Sequence, residues 1–133
     1  MVERFFDTNV LLYLLSAETA KADLVEEMLV AGGTISVQVL NEFTSVALRK
    51  LGMKVAEVRE ALEPISATCR VLPLTTQTHQ RGLQVAERYR FSFYDALIVG
   101  AALESGCTVL YSEDMQDGQL IDDTLTIKNP FRV

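Results

Sequence analysis

The chain is poor in cysteine, has a single histidine and lacks any long apolar run, and each shortage removes a class of protein. Its two cysteines, Cys69 and Cys107, lack the paired spacing of a metal site. Each lies beside an expected strand, where a small buried thiol is ordinary. The one histidine, His79, falls on a polar helix face and is expected to be solvated, so no Ser-His or Cys-His nucleophile system stands out. The longest uninterrupted apolar stretches, such as 96–103, are far too short to span a bilayer, and no membrane partner is expected. No basic segment followed by an apolar stretch and a cleavage site opens the chain. A signal peptide is therefore not expected, and a reduced, cytoplasmic protein is the simplest reading. Neither a G-x-x-x-x-G-K-[ST] loop nor a G-x-G-x-x-G turn is present. No repeat, low-complexity tract or Pro/Gly linker divides the 133 residues, which suit one domain, 1–133.

What is present is a core-forming chain with an acidic balance. Apolar residues make up 49%, enough to bury a core without disulfides. The formal net charge is −6, so bulk charge does not attract nucleic acid. A nucleic-acid role must work through bound cations or local Arg/Lys patches. A basic protein partner is the other natural consequence.

Hydrophobic periodicity gives the order of elements. Strands are expected at 2–6, 34–36, 69–74, 108–112 and 125–128. Helices are expected at 9–16, 20–31, 38–51, 54–67, 76–90 and 93–105. Gly32-Gly33, Gly52 and Gly106 stop three of the helices. The 38–51 helix is amphipathic, with Val39, Leu40, Phe43, Val46, Ala47 and Leu51 on one face. The 93–105 helix is apolar nearly all round and should be buried. Strands alternating with helices predict an α/β fold, with a central, mainly parallel, twisted sheet sandwiched by helices.

Four carboxylates stand out in this framework. Asp7 follows the first strand, where open α/β sheets place ligands, and it equally fits an N-cap of the next helix. Asp95 opens the apolar helix, and Ser92-Phe-Tyr-Asp95 also fits a capping box; a carboxylate on a partly buried first turn needs a partner. Glu42 borders the apolar stripe of its helix, a position where glutamate is usually solvated. Asp114 follows the strand Thr108–Ser112 in a turn-forming stretch, where acids often cap local amides, and Asp117 shares that stretch and that alternative. Two acids end strands of one sheet, and two sit on helices able to pack across that end. A cluster of like charges needs protons or a cation, and oxygen-only ligands favour Mg²⁺ or Mn²⁺ over Zn²⁺. Arg81, Arg88 and Arg90 form a basic edge near Asp95 in sequence, suited to phosphate or simply to solvent. Tyr89, Phe91, Phe93 and Tyr94 are expected mostly in the core, with stacking on an RNA base as the less common use.

Together these residues resemble the PIN-domain nucleases, and in particular the ribonuclease toxins of VapBC toxin–antitoxin pairs. The resemblance covers nearly the whole chain. Asp7-Thr8-Asn9 matches the opening Asp-Thr/Ser-Asn, Glu42 the helical glutamate, Asp95 the acid that opens a late apolar helix, and Ser112-Glu-Asp114 the last Ser/Thr-x-Asp. Asp-Thr-Asn alone is weak, whereas four such positions in order are specific. The family pattern often continues to a second Asp and an aromatic. Here it reads Met115-Gln116-Asp117-Gly118, so the last ligand is Asp114, Asp117 or both, with Asp114 favoured.

The resemblance implies a divalent-metal-dependent endoribonuclease. Asp7, Asp95 and Asp114 would hold Mg²⁺ or Mn²⁺, with Glu42 as ligand or base, and Thr8, Asn9 and Ser112 would position carboxylates or water. It implies 5′-phosphate and 3′-hydroxyl products, a homodimer, and a cognate antitoxin that puts a basic side chain into the acidic site. Leu11, Leu12, Leu15, Leu24 and Leu29 are the expected lining of an antitoxin groove, with core packing their competing use. Two rivals stand beside this reading. One is a non-catalytic module that uses the same pocket to capture a basic protein segment. The other is a phosphatase with Asp7 as nucleophile, which ranks low because Asn9 replaces the second Asp of that signature.

Overall fold

The computed structural model describes residues 3–132. Six strands form one sheet: β1 Arg4–Phe6, β2 Gly33–Ser36, β3 Cys69–Leu72, β4 Val109–Tyr111, β5 Leu120–Ile121 and β6 Leu125–Lys128. Their spatial order is β3-β2-β1-β4-β6-β5. All neighbours are parallel except the β5–β6 hairpin. The helices are α1 Thr8–Leu11, α2 Thr19–Val30, α3 Val37–Arg49, α4 Val55–Thr68, α5 Thr76–Tyr89 and α6 Phe93–Glu104. The chain is a single α/β unit of the kind expected, with a mostly parallel sheet.

Both faces of the sheet are covered. Phe5 and Phe6 are consecutive in β1 and point to opposite faces, yet both are fully buried. Each such side chain contributes about 1.5–3 kcal/mol by leaving water. Helix α6 is buried from Ala96 through Ala102, as its all-round apolar sequence requires. It packs closely on α5 because both helices carry a glycine at the contact. A Cβ on Gly100 would lie 3.2 Å from the Gly82 backbone nitrogen, and a Cβ on Gly82 would meet Leu97 at 2.9 Å.

The expected elements differ from the structure in three places. The 9–16 helix is two pieces: α1 ends at Leu11 and a 3₁₀ turn, Leu12–Leu15, follows. The two-residue strand β5 has no counterpart in the sequence pattern, because two residues carry no period. Leu51, expected on the buried face of α3, lies beyond the helix and is half exposed. Val2, expected to begin the first strand, lies outside the described residues.

The strand order decides where a ligand belongs. From β1 the chain moves to β2 and β3 on one side, then returns to β4 on the other. The sheet therefore reverses direction between β1 and β4. Open α/β sheets bind ligands beyond the carboxyl ends of strands at such a reversal. Phe6 pairs with Tyr111 at those ends, so Asp7 and Ser112 leave the sheet side by side.

Candidate active site

A cavity of about 630 Å³ lies against Asp7, Thr8 and Asn9 from the end of β1, and against Asp114 beyond β4. Helix α3 contributes Gln38, Glu42 and Arg49 to its lining, and α6 contributes Tyr94 and Asp95. Four carboxylates far apart in sequence thus reach one concavity from four elements.

Asp7 both caps α1 and lines the cavity. Its Oδ1 accepts the Thr8 backbone N–H at 2.7 Å, which starts α1. Its Oδ2 accepts the Ser112 hydroxyl at 2.8 Å and the Asn9 side-chain amide at 3.0 Å. Asn9 in turn accepts the Glu113 backbone N–H at 3.0 Å, and Ser112 Oγ accepts that of Met115 at 3.2 Å. Asp-Thr-Asn and Ser-x-Asp are therefore one polar knot that fixes the turn carrying Asp114. The Asp7 backbone N–H adds a bond to the Tyr111 carbonyl at 2.9 Å.

Glu42 is held from two sides. Its Oε1 accepts the Thr8 hydroxyl at 2.9 Å, and its Oε2 accepts the Gln38 amide at 3.0 Å from one turn earlier on α3. Asp95 sits in the first turn of α6, whose N-cap Ser92 accepts the Asp95 backbone N–H. Asp114 is exposed at the cavity mouth.

The electrostatics are those of a group of acids that lack ion-pair partners among the described residues. Asp7 is 3% exposed, and burial pushes its carboxyl up to about 7, with the Asp95 and Glu42 charges adding to the rise. Burial also raises Asp95, and the neighbouring Asp114 charge adds to that. Among the described residues, none of the four acids forms an ion pair with Lys or Arg.

Asp117 does not join them. Its Oδ1 accepts the Asn129 backbone N–H at 2.8 Å, and Arg132 pairs with it at 3.7 Å, which ties it to the C-terminal segment. The expected basic edge is elsewhere too. Arg81 and Arg88 both pair with Asp122, at 3.3 Å each. Tyr94, expected mostly in the core, is 62% exposed and lines the cavity. Sequence reasoning passed over Gln38, Asn41, Ser45 and Arg49. They lie −4, −1, +3 and +7 from Glu42, so the helical period was the available signal.

A family model described as PIN domain matches residues 4–116. The chain belongs to the PIN-domain family. Solved structures of similar shape span nearly all of it. One is a toxin–antitoxin complex from Klebsiella pneumoniae, 21% identical, with a TM-score of 0.73 and coverage of 98% of this chain and 100% of that one. Another is the sarcin–ricin-loop-cleaving toxin VapC20 of Mycobacterium tuberculosis, 22% identical, with a TM-score of 0.68 and coverage of 84% and 90%. A third is VapBC2 of Rickettsia felis bound to a promoter DNA fragment, 16% identical, with a TM-score of 0.70 and coverage of 97% and 98%. At these identities the likeness establishes the PIN fold. No curated protein matches the sequence significantly.

The donor set suits a hard divalent ion. It is all oxygen, and a buried Asp7 with no cationic side chain beside it gains from an added positive charge. Among the described residues, no three of these acids close on a point as the ligands of a single ion. Mg²⁺ tolerates that arrangement, because it usually keeps several waters and takes one or two carboxylates plus substrate phosphate.

Proposed function

We propose that this PIN-domain protein is a divalent-metal-dependent endoribonuclease, the toxin of a toxin–antitoxin pair. The observation that carries the reading is the meeting of Asp7, Glu42, Asp95 and Asp114 around one cavity at the sheet's reversal, without a cationic partner. Asp7, Asp95 and Asp114 would hold Mg²⁺ or Mn²⁺, one or two directly and the rest through the ion's waters, with Glu42 sharing that work or accepting a proton. When bound, the ion supplies Lewis-acid stabilisation of phosphate charge and a lowered pKa for water.

The chain's own residues supply the rest. Ser112 and Asn9 both donate to Asp7 Oδ2, which favours its ionised form and fixes its orientation. Thr8 and Gln38 each donate to one oxygen of Glu42 and keep its carboxylate from turning away. An attacking water takes the nucleophile's role instead of the substrate's 2′-hydroxyl, so the products carry 5′-phosphate and 3′-hydroxyl ends.

The toxin part draws on the similar structures, which include toxin–antitoxin complexes, and on charge. A chain of net −6 with an acidic cavity suits a partner that inserts a basic side chain. Next to the 3₁₀ turn lies an apolar groove of about 400 Å³, lined by Leu14, Leu15, Leu29, Val30, Ala61 and Pro64. Of the five leucines expected there, Leu15 and Leu29 line it. Leu11 is in the core, Leu12 faces the acidic cavity, and Leu24 is partly buried against the core.

Incubating RNA with the purified protein in Mg²⁺ and in EDTA tests the proposal. Cleavage is expected only with the metal, and Asp95→Asn should abolish it. Cleavage that persists in EDTA, or its absence in both Mg²⁺ and Mn²⁺, would overturn it and favour the non-catalytic module.

A further inference from the structure

An acidic cavity alone repels the phosphates it is meant to receive, so the rest of its lining matters. Along α3, Gln38, Asn41, Glu42, Ser45 and Arg49 share one face, and all five line the cavity. From Glu42 to Arg49 the helix rises about 10 Å. Ser45 stands between them and Asn41 just before Glu42, neutral groups that hydrogen-bond without repelling an anion. Arg49 is the only Lys or Arg among the lining residues. It is exposed and forms no ion pair among the described residues. A guanidinium free of intramolecular partners, at one end of an acidic cavity, suits a phosphate.

Tyr94, in the first turn of α6 next to Asp95, also lines the cavity. The residue is 62% exposed. Phe93 backs it, with centroids 5.9 Å apart, and Phe93 meets His79 edge-on at 5.4 Å. A large aromatic supported from behind and open to solvent is a stacking platform, and stacking accepts any unpaired base.

We propose that Arg49 and Tyr94 form the two ends of a single-stranded RNA track across the cavity. Arg49 grips a phosphate neighbouring the scissile one, and Tyr94 stacks an unpaired base. The inference rests on the nuclease reading of the same cavity and adds to it two substrate-positioning residues of this chain, which require RNA with a splayed, unstacked base at Tyr94. Duplex RNA keeps its bases stacked and offers Tyr94 nothing.

Binding of labelled oligoribonucleotides, one single-stranded and one a blunt duplex, tests the track separately from cleavage. The Asp95→Asn protein in excess Mg²⁺ serves as the non-cleaving parent, and Arg49→Gln, Tyr94→Leu and Tyr94→Phe are added to it. Arg49→Gln should weaken single-strand binding and reduce the slope of log K against log salt by about 0.7, the contribution of one phosphate contact on a single strand. Tyr94→Leu should weaken single-strand binding roughly ten- to a hundred-fold with the slope unchanged. Tyr94→Phe should restore binding, because the ring and not the hydroxyl is used. Both side chains are exposed, so thermal melts should stay at the parent value. Unchanged affinity in Arg49→Gln and Tyr94→Leu overturns the track even where wild type cleaves RNA. Equal losses on single strand and duplex overturn the stacking role. A parent that binds no RNA overturns the track and leaves these residues as a protein contact. Failure of the nuclease reading shows separately, as wild type that binds RNA without cutting it.

Discussion

Replacing Asp7 with asparagine should turn a pH-dependent weakness of the metal-free protein into a pH-independent one. The Asp7 carboxyl is raised by burial to about 7 in the folded chain, from 3.8 when unfolded. Between those values the folded state holds a proton that the unfolded state has released. The stability associated with that proton is fully present below pH 3.8, falls as pH rises, and is gone above about 7. At about 1.4 kcal/mol per pH unit, the whole window corresponds to roughly 4 kcal/mol, and the part above pH 5 to roughly 2.5 kcal/mol. The Asp7→Asn protein carries no such dependence. Its amide oxygen keeps the Thr8 N–H and its amide nitrogen can donate to Ser112, but that nitrogen then faces the donor of Asn9. The conflict is a constant cost of about 1 kcal/mol, equal to one hydrogen bond. Urea denaturation of both proteins in EDTA from pH 5 to 8.5 reads the difference directly. By pH 5 wild type has lost about 1.5 kcal/mol, more than that constant cost, so the variant should already lead there and widen its lead until about pH 7. Other titrations are largely shared and cancel. Mg²⁺ at about a thousand times its Kd should then reverse the order at pH 8, because it stabilises wild type by about 4.1 kcal/mol, more than the variant's lead of roughly 3 kcal/mol. A difference that stays flat across this range, with the variant uniformly weaker, would mean that Asp7 is ionised throughout and acts only as a helix cap.

Ser112→Ala removes a fully buried hydroxyl that serves Asp7 and the Met115 N–H, and should cost about 1–3 kcal/mol in denaturant. By loosening a ligand's orientation it should also weaken metal affinity about 10–100-fold, read by calorimetry. Asp117→Ala should leave metal-dependent cleavage unchanged and lower stability by less than about 1 kcal/mol, because its exposed contacts lie on the C-terminal segment. Gly100→Ala should destabilise by about 1–3 kcal/mol in a thermal melt, since its methyl would press on the Gly82 backbone. Expression of the chain alone should slow growth, and a co-expressed partner with a basic tail should relieve it. Harmless wild type, at levels matched by Asp7→Ala, would end the toxin reading.

The sequence made some of this legible and hid the rest for physical reasons. Long periodic segments and glycine stops revealed the helices and the parallel character of the sheet. The buried stripe of Val39, Phe43 and Ala47 followed from the helical period. Strand β5 did not follow, because its pairing with β6 depends on a turn and not on a pattern of its own. At Asp7, capping and site chemistry looked like competing uses of one carboxylate, and the structure shows the cap bond within the cavity wall. Asp114 and Asp117 lie three residues apart in one turn, and sequence alone gives no reason for their different directions. The difference is set by Asn129 and Arg132, a long-range contact. Arg81 and Arg88 looked available for phosphate because their partner, Asp122, lies more than thirty residues away. Tyr94 looked like core because exposure of one aromatic in Phe91-Ser-Phe-Tyr94 depends on how α6 docks.

The most direct test of the central claim is the chemistry of the cut ends as the metal is varied. A 3′-labelled and a 5′-labelled RNA loop substrate would be treated with wild type, Asp7→Asn and Asp95→Asn across a titration of Mg²⁺ in EDTA buffer. The account predicts cleavage that appears with the metal in wild type alone, leaving 5′-phosphate ends that ligate directly and 3′-hydroxyl ends. Fragments with 2′,3′-cyclic phosphates, or cutting by either variant at the wild-type rate, would contradict it.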